Sequence, residues 1–248
     1  MSVALVLAAL GVGVLIGASG IGGVLLIPAL MGLGGLSTHQ AMATAMFSFF
    51  FVGIAATYIY HRYGSLDLRM ALPVLAGSLV SAYPGALVNA HASAGTLNLI
   101  LAAVIIGSSL YSLLPPRSVP LAGRLGPRAD MLLLFGIGLL TGFLCGMTGA
   151  GGGIVSIPVM LLCGYAALPV IATGQALQFT ISAAGSISHL TQGFVVFPLV
   201  WWVTLIQLAG IALGVRLAHA LPVVLLKRCV GLLSLAIGLY MAANAFSG

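Results

Sequence analysis

Residues 17–28 read GASGIGGVLLIP, and residues 146–158 read GMTGAGGGIVSIP. Each stretch interrupts a long apolar run with clustered glycines and ends on a proline. Glycine destabilises a helix interior because, without a Cβ, it loses the most backbone entropy on folding. Both apolar runs are therefore predicted to break at their glycines. The same break in two places indicates that the chain repeats a structural unit around it.

The composition indicates a protein that lives in a lipid bilayer. Hydrophobic residues make up 61% of the chain, charged residues 4%, and the mean hydropathy is +1.25. A soluble domain carries roughly 25% charged residues, so this chain cannot cover a surface in water. The net charge of +6 does not point to nucleic acid, because the basic residues lie in short loops between apolar runs. No CxxC or other metal-ligand spacing occurs, so neither a metal nor a cofactor is expected.

The apolar runs predict eight membrane segments, at 3–36, 38–60, 68–90, 95–114, 131–165, 168–190, 194–215 and 229–246. Six of them have the roughly 18–23 residues that one crossing needs. The first and fifth, as continuous helices of about 35 residues, would run about 50 Å against a hydrocarbon core of roughly 30 Å. Their glycines divide each into two pieces predicted to be too short to span, which favours a broken hairpin that re-enters.

The basic residues distinguish hairpins from crossings. If all eight segments cross once, Arg62, Arg69, Arg117, Arg124 and Arg128 face one side, and Arg216, Lys227 and Arg228 face the other. If 3–36 and 131–165 are hairpins, all eight basic residues face the same side. The positive-inside rule therefore favours hairpins, with both termini outside the cytoplasm, although single crossings stay open as the alternative.

The two halves of the chain align with each other. A shift of 129 residues superimposes Ala43–Thr44 on Ala172–Thr173, Gly64 on Gly193, Gly85 on Gly214 and Leu110–Tyr111 on Leu239–Tyr240. A shift of 130 superimposes Gly22–Gly23 on Gly152–Gly153 and Pro28 on Pro158. These matches predict an N-terminal repeat over 1–114, a cytoplasmic linker over 115–130 and a C-terminal repeat over 131–248.

Each repeat would contain one hairpin and three transmembrane helices. Because three is odd, the second half enters from the opposite face, which predicts an all-α polytopic membrane protein with two inverted-topology repeats. Secondary transporters use this architecture and bind substrate near mid-membrane at the repeat interface. The helix that starts after each glycine break has N–H groups without intrahelical partners, and these favour an anion.

The breaks followed by LIPAL or SIPVM, with the helices ATAMFSFFFVGIAATYIYHRYG and ATGQALQFTISAAGSISHLTQG, resemble the TauE/SafE family of sulfite and organosulfonate exporters, which are related to 4-toluene sulfonate uptake permeases. The resemblance covers nearly the whole chain. It implies a multi-pass transporter of the bacterial inner membrane that moves a small sulfur-containing anion, usually outward. It names neither this protein's cargo nor its direction.

The candidate anion-binding residues are the two breaks and the polar side chains of the second and sixth segments: Ser19, Gly20, Gly22, Gly23, Thr44, Ser48, Thr148, Gly149, Gly151, Gly152, Thr173, Gln175 and Gln178. Hydroxyl and amide groups can hold an oxyanion without neutralising it. For the serines and threonines, a bond back to their own helix is the competing interpretation. Ser19 has no hydroxyl at its aligned position, Gly149, and Thr148 is the nearest substitute.

Ionisable groups are expected to stay out of the membrane interior. The five histidines lie near segment ends, which predicts interfacial positions, and His61 and His189 match across the repeat if one gap is allowed. The only carboxylates, Asp67 and Asp130, are predicted to lie in loops. Without an acidic residue in a span, a mid-membrane proton relay is not expected, and the membrane potential alone would drive an anion outward.

Two other functions compete with transport. The sequence GASG also fits the GxSG of rhomboid-type intramembrane serine proteases, with Ser19 as nucleophile, but such an enzyme needs a histidine at mid-depth beside it. A scaffold subunit that transports nothing is the third possibility. The favoured interpretation is a transporter with no catalytic residues. A homodimer is one oligomeric state that the sequence allows.

Overall fold

The computed structural model describes residues 2–113, 121–122, 124–220 and 223–247, with the side chains of 223–227, 229–230 and 244–247 left aside. All regular secondary structure in this part of the chain is helical, and short loops connect the helices. The helices are α1 (Val3–Ser19), α2 (Leu26–Gly32, preceded by a 3₁₀ turn at Gly22–Leu25), α3 (Thr38–Arg62), α4 (Leu68–His91), α5 (Ala94–Leu113), α6 (Pro127–Thr148), α7 (Gly153–Leu162), α8 (Ala167–Thr191), α9 (Phe197–Ala220) and α10 (Val223–Ser247).

Both glycine stretches end a helix in the same way. Gly20 follows α1 with φ +74°, and Gly149 follows α6 with φ +69°, a conformation that costs glycine little. Their N–H groups donate to the carbonyl oxygens of Ile16 and Cys145, which closes the last turn of each helix. The structure therefore confirms that a helix ends at each of the two glycine stretches, as the sequence predicted.

The first helix of the second broken run, α6, is longer than expected. α6 begins at Pro127, inside the predicted linker 115–130, because proline fits the first position of a helix and fixes φ there. Its 22 residues correspond to about 33 Å, so the prediction that neither piece of this run can span is wrong for α6. α1 with 17 residues and α7 with 10 are shorter than the roughly 20 residues of a crossing.

The last two helices also extend past the predicted segments 194–215 and 229–246. α9 continues to Ala220 and includes Arg216, whose side chain is exposed. A long arginine side chain can carry its charge to the membrane surface, so the helix need not end before it. Among the described residues, five helices are long and apolar enough to cross a membrane: α3, α4, α5, α6 and α9.

Two pairs of helices pack in parallel through glycines. Gly13 and Gly17 of α1 lie against the backbone of Gln207 and Ile211 of α9. On the other side of the bundle, α6 packs on α4 in the same register, with the pairs Gly138–Val74, Gly142–Ser78 and Gly146–Ala82. Small residues at such contacts let helix backbones approach closely, which is how helices associate in lipid.

Two further pairs pack in antiparallel directions. Gly53 of α3 lies against Phe179 of α8, while Met46, earlier in α3, lies against Gly185, later in α8. The pair α5 and α10 behaves in the same way, with the contacts Gly231–Ser112 and Gly238–Ile105. α3 and α8 occupy the centre, where α3 has fully buried side chains along most of its length.

The arginines gather at one end of the bundle. His219, at the end of α9, stacks on Tyr63 after α3 with ring centroids 4.2 Å apart, and its Nε2 lies 3.1 Å from Ser65 Oγ. This end, here called the basic end, carries the described arginines Arg62, Arg69, Arg124, Arg128, Arg216 and Arg228. The opposite end brings together the start of α3 and the loops after α4 and α8, where His39 contacts Ala92 and Phe194.

The second broken run returns to the end at which it starts. The carbonyl oxygen of Cys163, after α7, accepts hydrogen bonds from the N–H groups of Leu121 and Ala122, which precede α6, at 3.1 and 2.9 Å. Nearby, the Tyr165 hydroxyl donates to Asp130, which lies in the first turn of α6 rather than in a loop as predicted. Burial and this carboxylate raise the pKa of the Tyr165 phenol, so it stays a donor.

We predict opposite effects for one substitution at two glycines of α6. In Gly142→Ala the new methyl group would overlap Ser81 Oγ and lie 2.5 Å from the Ser78 carbonyl oxygen, so the variant should lose about 1–3 kcal/mol of stability. Gly136→Ala meets nothing within 4 Å and should gain up to about 1 kcal/mol from helix propensity. Thermal unfolding in detergent measures both, and equal shifts would contradict the proposed close contact of α4 and α6.

Candidate functional site

The two helix breaks touch each other inside the bundle. A Cβ added to Gly153, at the start of α7, would overlap the carbonyl oxygen of Gly20, at the end of α1. Every residue of the two breaks, 19–25 and 148–154, is buried. Two interruptions that are far apart in sequence thus form one small region of irregular backbone surrounded by protein, the setting in which such backbone is tolerated at membrane depth.

The central helices α3 and α8 enclose this region. Phe49 of α3 lies against both breaks, within 3.2 Å of a Cβ built on Gly23 and 3.6 Å of one built on Gly151. From α8, Gln178 approaches Gly151 at the same distance, 3.6 Å, and the Gln175 amide nitrogen lies 3.4 Å from a Cβ built on Gly20. One face of α8 therefore presents two amides to the two breaks.

Gln175 connects α8 to the first break. Its Nε2 donates to the carbonyl oxygen of Ile16 at 2.7 Å, in the last turn of α1. The same carbonyl oxygen accepts the Gly20 N–H at 2.9 Å, so Gln175 supplies its second hydrogen bond and stabilises the end of α1 where the chain turns. Because an amide nitrogen has two N–H groups, Gln175 keeps one donor beyond this contact.

Gln178 is the less constrained of the two amides. It is 1% exposed, and its Nε2 has no hydrogen-bond partner in the described part of the protein. A buried donor without a partner costs about 1–3 kcal/mol. An amide that carries this cost beside a helix break is suited to binding a ligand that accepts hydrogen bonds.

The hydroxyl groups beside the breaks bond to their own helices. Ser19 Oγ donates to the Leu15 carbonyl at 2.8 Å and accepts from the Ile21 N–H at 3.3 Å. Thr148 Oγ1 donates to the Leu144 carbonyl at 2.8 Å. Ser19 and Thr148 therefore bond back to their own helices, which was the interpretation that competed with anion binding. Ser19 has no histidine among its hydrogen-bond partners, so the geometry gives no support to a serine nucleophile.

Ser48 belongs to a chain of three side chains. Thr204 Oγ1 donates to Ser48 Oγ at 2.9 Å, and Ser48 Oγ donates to Gln207 Oε1 at 2.8 Å. All three residues are buried, and Gln207 Nε2 is left without a partner. Gln207 is not among the residues predicted from sequence, although it is a glutamine within an apolar helix, as Gln175 and Gln178 are.

The two candidate threonines lie away from the amides. Thr44 Oγ1 accepts a hydrogen bond from the Val196 N–H at 3.1 Å, so it binds the loop before α9. Thr173 is buried with an unpartnered hydroxyl, but it lies about 140° around α8 from Gln178, since consecutive residues of a helix are rotated by about 100°. The structure therefore brings together the glycines and the two glutamines, and it places these threonines outside that group.

One histidine near a segment end is buried rather than exposed. His189, in the last turn of α8, is 0% exposed, and neither ring nitrogen has a hydrogen-bond partner among the described residues. His61 is exposed, as expected for an interfacial residue. Within the residues that were placed, no group of three or more His, Cys, Asp or Glu side chains could hold a metal ion.

These features define a polytopic, all-helical membrane protein with two interrupted helices that meet in its interior. The profile of the family described as Sulfite exporter TauE/SafE matches residues 3–241. The chain belongs to this family of membrane transporters, which the sequence motifs had indicated.

Curated relatives agree with this family. The chain is 23% identical to the probable membrane transporter protein YdhB of Bacillus subtilis, over 92% of this chain and 95% of the relative. It is 29% identical to the probable membrane transporter protein YfcA of Escherichia coli, over 82% of this chain and 74% of the relative. A relative from a Sinorhizobium species, ORF9, with the same description is 28% identical over 91% of this chain and 86% of its own length. No solved structure matches the chain.

The three-residue chain at Ser48 gives a prediction with a matched control. Ser48→Ala leaves the buried Thr204 hydroxyl and Gln207 carbonyl without their partner, so the variant should lose about 1–3 kcal/mol of stability. Ser109→Ala, equally buried, removes only a bond from Oγ to its own helix at Ile105 and should lose less than half as much. Unfolding by denaturant in mixed micelles measures both losses. Equal losses would mean that the hydrogen bonds between Ser48, Thr204 and Gln207 add no more stability than a bond within one helix.

Proposed function

We propose that this protein transports a small sulfur-containing anion, such as sulfite or an organosulfonate, and binds it where the two helix breaks meet. The observation that carries the proposal is the contact between Gly20 and Gly153, with the amides of Gln175 and Gln178 beside it. The family's description as sulfite exporters and the transporter names of the relatives support the same class of activity.

The chemistry of the region suits a transported oxyanion. Gln178 offers unpaired N–H groups, Gln175 keeps one, and the helical segments Gly22–Gly32 and Gly153–Leu162 begin at the breaks with free backbone N–H groups. The positive ends of the helix dipoles add a fixed partial charge. All these donors are neutral, and the described arginines lie at the basic end, so the anion is attracted without being trapped by a buried cation.

We further propose that the two halves are inverted repeats and that both broken segments re-enter. The packing directions support this arrangement, because α1 runs with α9, α6 runs with α4, and α3 runs against α8. If α3 and α4 cross in opposite directions, as successive spans do, then α1 and α6 also point in opposite directions. α1 and α2 would then form a hairpin that opens toward the end opposite the arginines.

The charge distribution supports a bacterial inner-membrane location with the basic end in the cytoplasm, since cytoplasmic loops carry the excess of arginine and lysine. With this orientation a membrane potential that is negative inside favours exit of an anion by about 2.3 kcal/mol per charge per 100 mV. Neither carboxylate, Asp67 or Asp130, lies near the helix breaks, so export driven by the potential needs no coupled proton.

Labelling of single cysteines tests the orientation. In a variant without Cys145, Cys163 and Cys229, Leu36→Cys should react with an impermeant reagent only from the periplasmic side, and Ala166→Cys only from the cytoplasmic side. The expected difference arises because the first hairpin opens away from the basic end and the second toward it. Reaction of both cysteines from one side, or of Leu36→Cys from the cytoplasm alone, would refute the inverted hairpins.

Flux measurements in proteoliposomes test the function and the site together. At a clamped voltage, purified protein should carry sulfite, thiosulfate or sulfoacetate in preference to chloride. Gln178→Leu removes a donor to a charged group, which is worth about 1.5–3 kcal/mol, so kcat/KM should fall about 10-fold to 100-fold. Tyr58→Leu, on the exposed side of α3, should leave the flux unchanged. An absence of anion flux in sealed vesicles would favour the scaffold interpretation instead.

A further inference from the structure

One face of α8 carries polar side chains from the helix breaks to the end of the helix. The residues are Gln178, Ser182, Ser186 and His189, spaced by 4, 4 and 3 positions. Residues three or four apart lie on the same side of a helix, so these four form a row about 16 Å long. It starts beside Gly151 and ends at the opposite end from the arginines.

Every member of this row is buried, and none has a side-chain hydrogen bond to the described part of the protein. The exposed fractions are 1% for Gln178, 1% for Ser182, 5% for Ser186 and 0% for His189. The unpartnered atoms are Gln178 Nε2, both serine hydroxyls and both ring nitrogens of His189. Each such group lowers the stability of the folded protein by about 1–3 kcal/mol, which points to a functional role for the row.

Comparison with other buried hydroxyls makes the row distinctive. Ser109, Ser112 and Ser156 are buried at other helix contacts, and each donates to a carbonyl of its own helix at 2.6–2.9 Å. Unpartnered hydroxyls also occur elsewhere in the described chain, such as Thr141 and Ser108, but as single groups in their helices. On α8 the unpartnered hydroxyls of Thr173 and Ser188 lie on other faces, whereas those of Ser182 and Ser186 follow the Gln178 amide along one face.

The matching face of α3 differs in chemistry. At the shift of 129 residues, the row corresponds to Phe49, Gly53, Thr57 and Tyr60. Phe49 fills the space beside the breaks, Gly53 packs on the backbone of Phe179, and the Tyr60 hydroxyl donates to the Gly17 carbonyl at 2.8 Å. Only Thr57 has an unpartnered polar atom. The face that leads toward the basic end is therefore mostly closed by aromatic and backbone contacts.

The loops at the opposite end cover the far end of the row. The Phe194 N–H donates to the carbonyl of His189 at 3.3 Å, and the Phe194 ring packs on His39 with centroids 5.2 Å apart. His39 Nε2 in turn lies 3.2 Å from the Ala92 carbonyl oxygen. The end of the row at His189 thus lies beside the contact of two loops with the start of α3.

We propose that this face of α8 lines the route by which the anion passes between the helix breaks and the periplasmic end, with His189 at the mouth. The inference rests on the proposed transport function. The row supplies neutral hydrogen-bond donors in steps of one helical turn, from the Gln178 amide through two hydroxyls to an imidazole. These donors have no partners among the described residues, and the passing anion or its water would provide them.

Cysteine accessibility tests the route without identifying the cargo. In the cysteine-free background, Ser182→Cys and Ser186→Cys are assayed with the anionic, impermeant reagent MTSES applied from the periplasmic side. Thr57→Cys, at the position matching Ser186, is the control. Since thiol modification follows exposure, Ser186→Cys should react at least about tenfold faster than Thr57→Cys from that side. Sulfoacetate, which does not react with MTSES, should slow the reaction of Ser182→Cys.

Two outcomes would overturn the inference: no reaction of either serine variant from the periplasmic side, or equal rates for Ser186→Cys and Thr57→Cys. The result is independent of the flux assay. If the serine variants react but sulfite does not move, the route stands and the proposed cargo fails. If sulfite moves and neither variant reacts, transport stands and the route along α8 is wrong.

Discussion

The structure depends on a requirement of the bilayer interior, where a backbone N–H or carbonyl group without a partner is very costly. A helix satisfies these groups by itself, and a broken helix does not. Here two helices break at Gly20 and Gly149, so the rest of the protein must supply what the helices lose. Left-handed glycine caps, the Ser19 hydroxyl and the Gln175 amide each satisfy part of this need.

The same requirement explains why the surrounding helices pack so closely. The broken helices α1 and α6 each lie along an intact helix, α9 or α4, through glycines whose missing Cβ lets the backbones meet. α3 and α8 then close over the breaks from the remaining sides. Lipid is kept away from the irregular backbone by these contacts, and van der Waals packing at small residues is the interaction that holds helices together in a bilayer.

Much of this fold could be predicted from the sequence because its signals are local. Clustered glycines set the breaks, apolar length sets the spans, and the motifs around Pro28 and Pro158 indicated the family that the profile match confirmed. The start of α6 could not be predicted, since Pro127 reads equally as a loop residue or as the first residue of a helix.

The site was harder to predict because its contacts are distant in sequence. Helical periodicity says which residues share a face but not which neighbour that face meets. Thr44 was a reasonable candidate until its hydroxyl was seen to bind Val196, 152 positions away. Gln207 is absent from the predicted residues although its partner Ser48 is among them, and the burial of His189 could not be predicted because helical periodicity does not show what packs on it.

A repeat with similar backbone breaks does not need the same chemistry on both sides. With the proposed inverted halves, equal side chains along α3 and α8 would give an anion the same environment toward either face of the membrane. The actual faces differ, since α8 offers hydroxyl, amide and imidazole groups where α3 offers Phe49, Gly53 and a Tyr60 hydroxyl already bound to Gly17. In the proposed arrangement, backbone symmetry would place the site in the middle and side-chain asymmetry would make the rates toward the two faces unequal, while the membrane potential sets the net direction.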